Sequence, residues 1–524
     1  LSNRNDRATD VALAPTEIAC AVDDPIAIRD AEQIEENGGA ATEYDEAAAE
    51  LDAEVVSGNG ESGVSASQIA DRLLSECAED FRFLTDRKIV FSFRGGIWQR
   101  DSGDKENMTH ELYRKARRLC LQVYEESNLR RDWKAHLRSA HFPASVVRIA
   151  VTEIEHLKFA DCFDVNPDLL GIPGGRVVEL RTGVIRDARP ADYISKSTTV
   201  APDSTIEPVR FLRFLNEITK DDPKLVAYLL RLFGYLLTGH MTEEFLGFWT
   251  GLGANGKSIL VDLLTKLLGD YVAIVSVKLL AAGLREDSEQ ELRTMSHLCG
   301  ARAAFASESS KRLKIDIGLA KKLAAPEKLL GRNLYEDAFS FRPSHKMIVS
   351  AQELQFEAVD WAIQRRLHVV SFPQKFCRPE DMRDHPGAML IDKNIGRDMD
   401  AERPGILALL LNEAREWYAD GLTKPEIVRT TSDAFFVEAD EYGQWLRECC
   451  VRNPEDFTSN NVSYASYVTF MESMGREPES KDVFCKKLVS SGFKRDQRRI
   501  DGVQMRGFIG FRIKSEANED GEAE

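Results

Sequence analysis

The sequence holds nine cysteines but no CxxC pair, and its nine histidines form no HExxH or other cluster. The ligand spacing of a zinc site is therefore missing, and zinc chemistry has no support. Cys449 and Cys450 are adjacent and the other cysteines are scattered through apolar stretches, which reads as buried free thiols in a reducing compartment. No apolar run approaches the roughly 20 residues of a membrane-spanning helix, so no membrane is expected. The opening stretch LSNRNDRATD lacks the apolar core of a signal peptide. The expected location is cytoplasmic. Met is missing from the first position, so the chain reads as a fragment or a processed product with room for domains upstream. Internal repeats are lacking too. Positive charge is in deficit, with a formal net charge of −17. That excludes a uniformly basic nucleic-acid coat but not a local basic channel, because binding depends on where charge sits.

What is present fits a chain of several domains. Its 524 residues correspond to about three domains of ordinary size. The acid is unevenly placed, much of it in Asp23–Glu54 and Glu516–Glu524. Residues 1–66 and 515–524 are expected to be disordered. Between them, periodicity and turn signals mark an α+β segment over 67–205 and a core of alternating strands and helices over 206–375. A helical connector over 376–435 and a compact α+β unit over 436–514 follow. An amphipathic helix is expected from Ser67 to Phe83, and two short strands around Gly95-Gly96. Two helices should be split at Asp221-Asp222-Pro223, with a connector at Pro425–Ala434 and a hairpin in RRIDGVQMRGFIGFRI. Tyr113–Arg138 interleaves Arg and Lys with Tyr and Trp, a pattern read as a solvated helix face, with a nucleic-acid patch as the alternative.

The stretch WTGLGANGKSILVDLL, Trp249–Leu264, carries the sharpest signal. Gly251 to Ser258 fits G-x-x-x-x-G-K-[ST], the phosphate-cradling loop of nucleotide triphosphatases. Gly251, Gly253 and Gly256 let the backbone wrap close to phosphate oxygens, with Leu252, Ala254 and Asn255 filling the loop. Lys257 neutralises phosphate charge and the Ser258 hydroxyl ligates Mg²⁺. A strand precedes the loop. The helix that follows points its positive end at the anion, buries Leu260, Leu263, Leu264, Leu267 and Leu268, and ends at Gly269.

With these residues, with LLRLFGYLLTG leading into them, and with GARAAFASE, FRPSHKMIVSAQE, AIQRRLHVVSF and PGILALLLNEAREWYADGL following in order, the chain resembles the phage/plasmid primase-type superfamily 3 helicases, relatives of the poxvirus primase-helicases. The resemblance runs from about Phe83 to Lys514, and GxGANGKS is one of the family's marks. It implies an α/β, AAA+-like P-loop core, an α+β N-terminal domain and a C-terminal winged helix. It implies a homo-hexamer that uses ATP and Mg²⁺ to move along single-stranded DNA at replication forks. A primase and other replication proteins would be its partners, and the setting would be replication of a phage, plasmid or other mobile element.

Residue roles follow from the same resemblance. Glu308 matches the acid that orients Mg²⁺ through water and activates the attacking water, with Ser307 where the family often has a first acid. Gln352 stands where the family has Asn, as γ-phosphate sensor. Arg365 and Arg366 match the paired arginines that reach a neighbouring subunit's nucleotide. Leu329–Lys346 resembles a pore hairpin turning at Tyr335-Glu336-Asp337. In it Arg332, Arg342, His345 and Lys346 are assigned to DNA or to structure. Ala325-Pro326-Glu327 departs from the family's spelling. In the C-terminal unit Lys486, Lys487, Lys494, Arg495, Arg498 and Arg499 are candidate phosphate contacts. No primase site is visible. The alternatives are a DNA-binding replication initiator with weak or lost ATPase activity and a small-molecule kinase. The kinase leaves the winged helix and the arginine pair unexplained.

Overall fold

The computed structural model describes residues 64–85, 89–101, 110–126, 131–157, 163–251, 253–280, 289–307, 313–333, 338–351, 354–356, 361–439, 441–500 and 502–514. Leu252, Glu308, Gln352, the turn Tyr335-Glu336-Asp337 and nearly all of the two acidic ends lie outside the described residues. The chain forms two compact units, one from residues 1–76 and 113–153, the other from 77–112 and 154–524.

The described part of the first unit is helical, with helices at Ala66–Cys77, His110–Glu126, Arg131–Leu137 and His141–Glu153 that run to its borders. Lys134 and Arg138 lie over the Tyr124 ring at 5.5 and 5.3 Å, so the interleaved basic and aromatic residues stack on one another along the helix surface. The helix expected to reach Phe83 stops at Cys77. Phe81–Leu84 is instead a strand of the second unit, because FRFL pairs antiparallel with Ile89–Arg94. That partner returns through Gly95 and Gly96 to Ile97–Arg100. Both glycines have positive φ, +59° and +83°, as a two-residue hairpin turn of matching twist demands.

The core of the second unit is a five-stranded, all-parallel sheet. Helices α1 (Val209–Thr219) and α2 (Pro223–Leu236) lead into strand β1 (Leu246–Thr250) and helix α3 (Lys257–Leu268). Then come β2 (Val272–Ser276), β3 (Ala303–Ser307), β4 (Lys346–Ser350), the short helix α4 (Trp361–Arg366), β5 (Leu367–Ser371) and helix α5 (Arg403–Asp420). The strand order is β5-β1-β4-β3-β2. Strands covered on both faces need continuous apolar runs rather than alternation, and LGFWT, AAFAS, KMIVS and LHVVS supply them. One apolar layer includes Phe211, Phe214, Leu229, Phe233, Trp249 and Leu264, and another includes Met295, Leu298, Leu323 and Ile363. The architecture is therefore mixed α/β around a parallel sheet. The split at Asp221-Asp222-Pro223 is clean: the Asp222 carboxylate caps α2 by accepting from Lys224 N (2.9 Å) and Leu225 N (3.1 Å), and Pro223 occupies the first turn.

Two expectations need correction further on. The supposed connector at Pro425–Ala434 belongs to a helix, Glu426–Ala439, whose Val428 and Phe436 are buried. Its Ser432 Oγ accepts from Val369 N at 3.0 Å, a side-chain partner for a backbone group of β5. The C-terminal part also holds a strand unseen in the sequence, Cys450–Ser459, at the edge of a three-stranded antiparallel sheet with Val503–Ile513 and Lys494–Ile500. Helices Glu441–Cys449, Asn460–Ser473 and Lys481–Ser490 cover that sheet through Trp445, Phe484, Phe508 and Phe511.

Candidate functional site

Strand β1 pairs with β4 on one side and β5 on the other, while the chain leaving β1 crosses to β2 and returns through β3. The direction of connection reverses at β1. In open α/β sheets the crevice outside the carboxyl ends at such a reversal is the natural ligand site. The glycine-rich loop sits there, joining β1 to α3.

The loop's shape depends on its glycines. Gly256 has φ +85°, and a Cβ on it would lie 2.7 Å from Ile218 and 3.0 Å from Phe214 on α1. It occupies the N-cap of α3 without supplying a side-chain cap, so this cap leaves the first N–H groups of the helix to other acceptors, as at an anion-binding helix start. A Cβ at Gly251 would lie 1.8 Å from Asn255 Nδ2. The buried Asn255 aims that amide at the Phe372 carbonyl beyond β5 and accepts from Lys257 Nζ at 3.1 Å. Lys257 Nζ also donates to Gly251 O at 3.0 Å. Two of the ammonium's three donors thus meet neutral oxygens, and one is left for an anion. Burial pushes the Lys257 ammonium down to about 8, and among the described residues no carboxylate pairs with it.

The loop opens on a cavity of about 670 Å³ lined by Gly253–Ile259, by Arg210, Arg213, Phe214 and Glu217 of α1, by Ser350 and Ala351 at the end of β4, and by Phe376, Met389–Asp392 and Ile395. The volume suits a nucleotide-sized ligand. Its lining combines the loop backbone and Lys257 with apolar side chains, and Phe376 N donates to Ala254 O of the loop at 2.7 Å. Met389, Leu390 and Ile391 are 36, 56 and 45% exposed, unusual for three consecutive large apolar residues. Arg210 is held by Glu217 (3.3 Å) and Asp392 (3.2 Å), and Arg213 by Glu217 (2.9 Å). Glu402 caps α1 by accepting from Arg210 N and Phe211 N, which fixes the arginine-bearing face over the cavity.

The structure brings together Gly251, Gly253, Ala254, Asn255, Gly256, Lys257 and Ser258. β3 ends at Ser307 beside Ser350, at the carboxyl edge of the sheet that the loop also occupies. Arg365 and Arg366 fall elsewhere. They end α4 at the start of β5, whose Leu367 pairs with Leu246 at the start of β1. The five-residue strand β1 separates them from the loop by about 16 Å. Both reach Glu244, Arg365 Nη2 at 2.5 Å and Arg366 Nη2 at 3.1 Å.

The four assigned to a pore hairpin divide. Leu329–Gly331 and Phe339–Phe341 do pair antiparallel, and Arg332 and Arg342 are exposed. His345 and Lys346 are buried, 0 and 1% exposed, because Lys346 begins β4 inside the sheet. The Lys346 ammonium donates to Thr238 O and Ser344 O and lies 4.8 Å from the Tyr235 ring centroid. Desolvation pushes it well below the usual lysine range and pushes His345 down to about 3. A DNA phosphate has no access to either, and their part is structural.

In the C-terminal hairpin, Lys494, Arg495, Arg498 and Arg499 are all exposed on one strand. Arg498 is paired with Asp496 at 3.0 Å and lies over the Phe457 ring. Sequence reading overlooked Arg210, Arg213, Glu244 and the Met389–Ile391 wall. The signals available were a polar stripe at i, i+3 and i+7 on the otherwise apolar α1, and three consecutive apolar residues, the first two of which form a short strand paired with Phe376–Cys377.

Among the described residues no helix is long and apolar enough to cross a membrane, and no group of three or more His, Cys, Asp or Glu is placed to hold a metal. Comparison with known proteins adds the lineage. Residues 70–220 match the family described as D5 N terminal like. The chain is 27% identical over 338 residues to a protein of Acanthamoeba polyphaga mimivirus named "Putative helicase", covering 61% of this chain and 35% of that one. It is 24% identical over 362 residues to a protein of African swine fever virus named "Putative primase", covering 66 and 36%. The chain thus spans about a third of the length of these relatives. The solved C terminal region of NrS-1 aligns over 86% of this chain and 100% of its own, at 9% identity and a TM-score of 0.44. Residues 70–220 thus match a D5 N terminal like domain, and the chain is similar to proteins of large DNA viruses that are named as putative helicases and primases.

Proposed function

We propose that this chain is the motor of an ATP-dependent DNA helicase of the primase-helicase type, unwinding DNA during replication of a virus, phage, plasmid or other mobile element. The observation that carries the reading is Lys257. It is a buried ammonium, paired with no carboxylate among the described residues, at the start of α3 and on the lining of a cavity of nucleotide size. The loop N–H groups and Lys257 would bind the β- and γ-phosphates. Ser258 would hold Mg²⁺ together with phosphate oxygens and, through water, Glu308, and the metal supplies charge neutralisation at the phosphates. Glu308 and Gln352 would orient the attacking water. The apolar lining, with Phe214, Phe376 and Met389–Ile391, would take the base.

Arg365 and Arg366 would serve a neighbouring copy. Their place at the opposite edge of the sheet supports action in trans, since about 16 Å of strand keeps them from their own loop. The hexameric ring, the AAA+-like core and the winged helix remain part of this reading, with Arg332, Arg342, Lys494, Arg495, Arg498 and Arg499 as DNA contacts.

The test is DNA-stimulated ATP hydrolysis and fork unwinding by the wild type and by Lys257→Ala. Loss of at least about a hundredfold in turnover is expected, the scale of removing one strong electrostatic contact from a transition state. Unwinding by Lys257→Ala at the wild-type rate would sink the assignment. A wild type that binds DNA without turnover would favour the replication-initiator reading, which Ser307 at the end of β3 motivates.

A further inference from the structure

We infer that Glu244 is a positioning residue for the arginine pair, with Arg366 as its buried anchor and Arg365 as the arginine it aims at a neighbouring copy's nucleotide. The inference rests on the trans reading above and deepens it.

The two arginines are not equivalent. The Arg366 side chain is 11% exposed and its Nη1 donates to Ala362 O at 2.9 Å, within its own helix. The Arg365 side chain is 45% exposed. One oxygen of Glu244 accepts from both guanidinium groups, so two cations that would repel are held side by side. The carboxylate is itself fixed. Glu244 sits in a turn just before β1 with φ +47°, a conformation a glutamate adopts only when its surroundings enforce it. They do so through the preceding residue: Glu243 Oε1 accepts from Trp417 Nε1 (2.9 Å) and Leu422 N (3.1 Å) at the end of α5. From the other side, Lys424 Nζ donates to the carbonyls of Arg365 (3.0 Å) and Leu367 (2.9 Å), pinning the backbone that carries the pair. The result is an exposed arginine whose backbone and guanidinium are both located before a partner arrives. Preorganisation of this kind acts on turnover, because a finger that must first be found loses orientation at the transition state.

Subunit mixing in a DNA-stimulated ATPase assay with the full chain tests this. Lys257→Ala chains retain the arginines and lack a working loop, whereas Arg365→Ala chains retain the loop and lack the finger. An equal mixture should recover turnover that neither has alone. Adding Glu244→Gln to the Lys257→Ala chain, the finger donor, should then cut the recovered kcat about tenfold with KM for nucleotide unchanged. The same change on the Arg365→Ala chain should leave recovery untouched. Equal effects on both chains, or none on either, would overturn the role of Glu244 while leaving trans action standing. Failure of the parent mixture to recover would overturn trans action, and this assignment with it. Thermal melting checks that Glu244→Gln folds. If it does not, Glu244→Asp, which keeps the charge and shortens the reach, takes its place in the same two backgrounds.

Discussion

At the scale of single residues, Lys257 makes the most quantitative prediction. Burial lowers its ammonium from the ordinary 10.5 to about 8, and a bound phosphate favours the charged form. Below pH 8 the lysine is already protonated and binding is insensitive to pH at this group. Above pH 8 binding must take up a proton, so affinity for nucleotide falls by up to about tenfold per pH unit. Titration with a fluorescent nucleotide between about pH 7 and 9.5 would show the break near 8, and Lys257→Arg, which stays charged, should flatten it. The loop was legible in the sequence because its demands are local: glycines where the backbone must turn, a lysine where it must meet charge. Asn255 was legible as spelling, but its task of joining the loop to the end of β5 needs Phe372, more than a hundred residues away. Arg210, Arg213 and Met389–Ile391 were hidden for the same reason. No periodicity in either segment says that folding brings them over one cavity.

At the scale of elements, pairing and packing overrode local pattern where the reading failed. CVRNPEDFTS has a proline and little alternation, and it is a strand because Val503–Ile513 offers it an edge, with an irregularity between Asn453 and Phe457. Glu426–Ala439 looks polar from Thr430 to Asp433 yet is a helix that buries Val428 and Phe436. The period of two also divides the basic hairpin. Lys494 and Arg498 point to one face of their strand, Arg495 and Arg499 to the other. Four exposed cations therefore do not make one stripe. If the hairpin follows a DNA backbone, one pair should matter more. Lys494→Ala with Arg498→Ala, and Arg495→Ala with Arg499→Ala, are expected to differ in DNA affinity. The important pair should lower the slope of log affinity against log salt by about 2 and the other should leave it nearly unchanged. Equal loss from both pairs would contradict a one-faced contact.

At the scale of the whole molecule, the parallel direction of the strands puts the glycine-rich loop at the carboxyl end of β1 and Arg365 and Arg366 at the amino end of its neighbour β5. ATP hydrolysis should consequently depend on assembly: turnover per chain is expected to rise with protein concentration and to track oligomer mass measured by light scattering. Constant turnover in dilute, monomeric samples would show that each chain is self-sufficient. The fold class was readable at this scale because alternating apolar strands and helices admit few other arrangements. The separation of Lys257 from Arg365 and Arg366 was not, since the parallel pairing of β5 with β1 is a property of the folded chain. That separation also fixes the symmetry of any assembly that uses it. A twofold dimer pairs a surface with itself, loop with loop or arginine with arginine, and completes nothing. Only head-to-tail contacts join unlike edges, and these either close into a ring or run on as a helical filament. On the proposed trans reading, the parallel sheet thus makes each copy a directional unit, with a giving side and a receiving side.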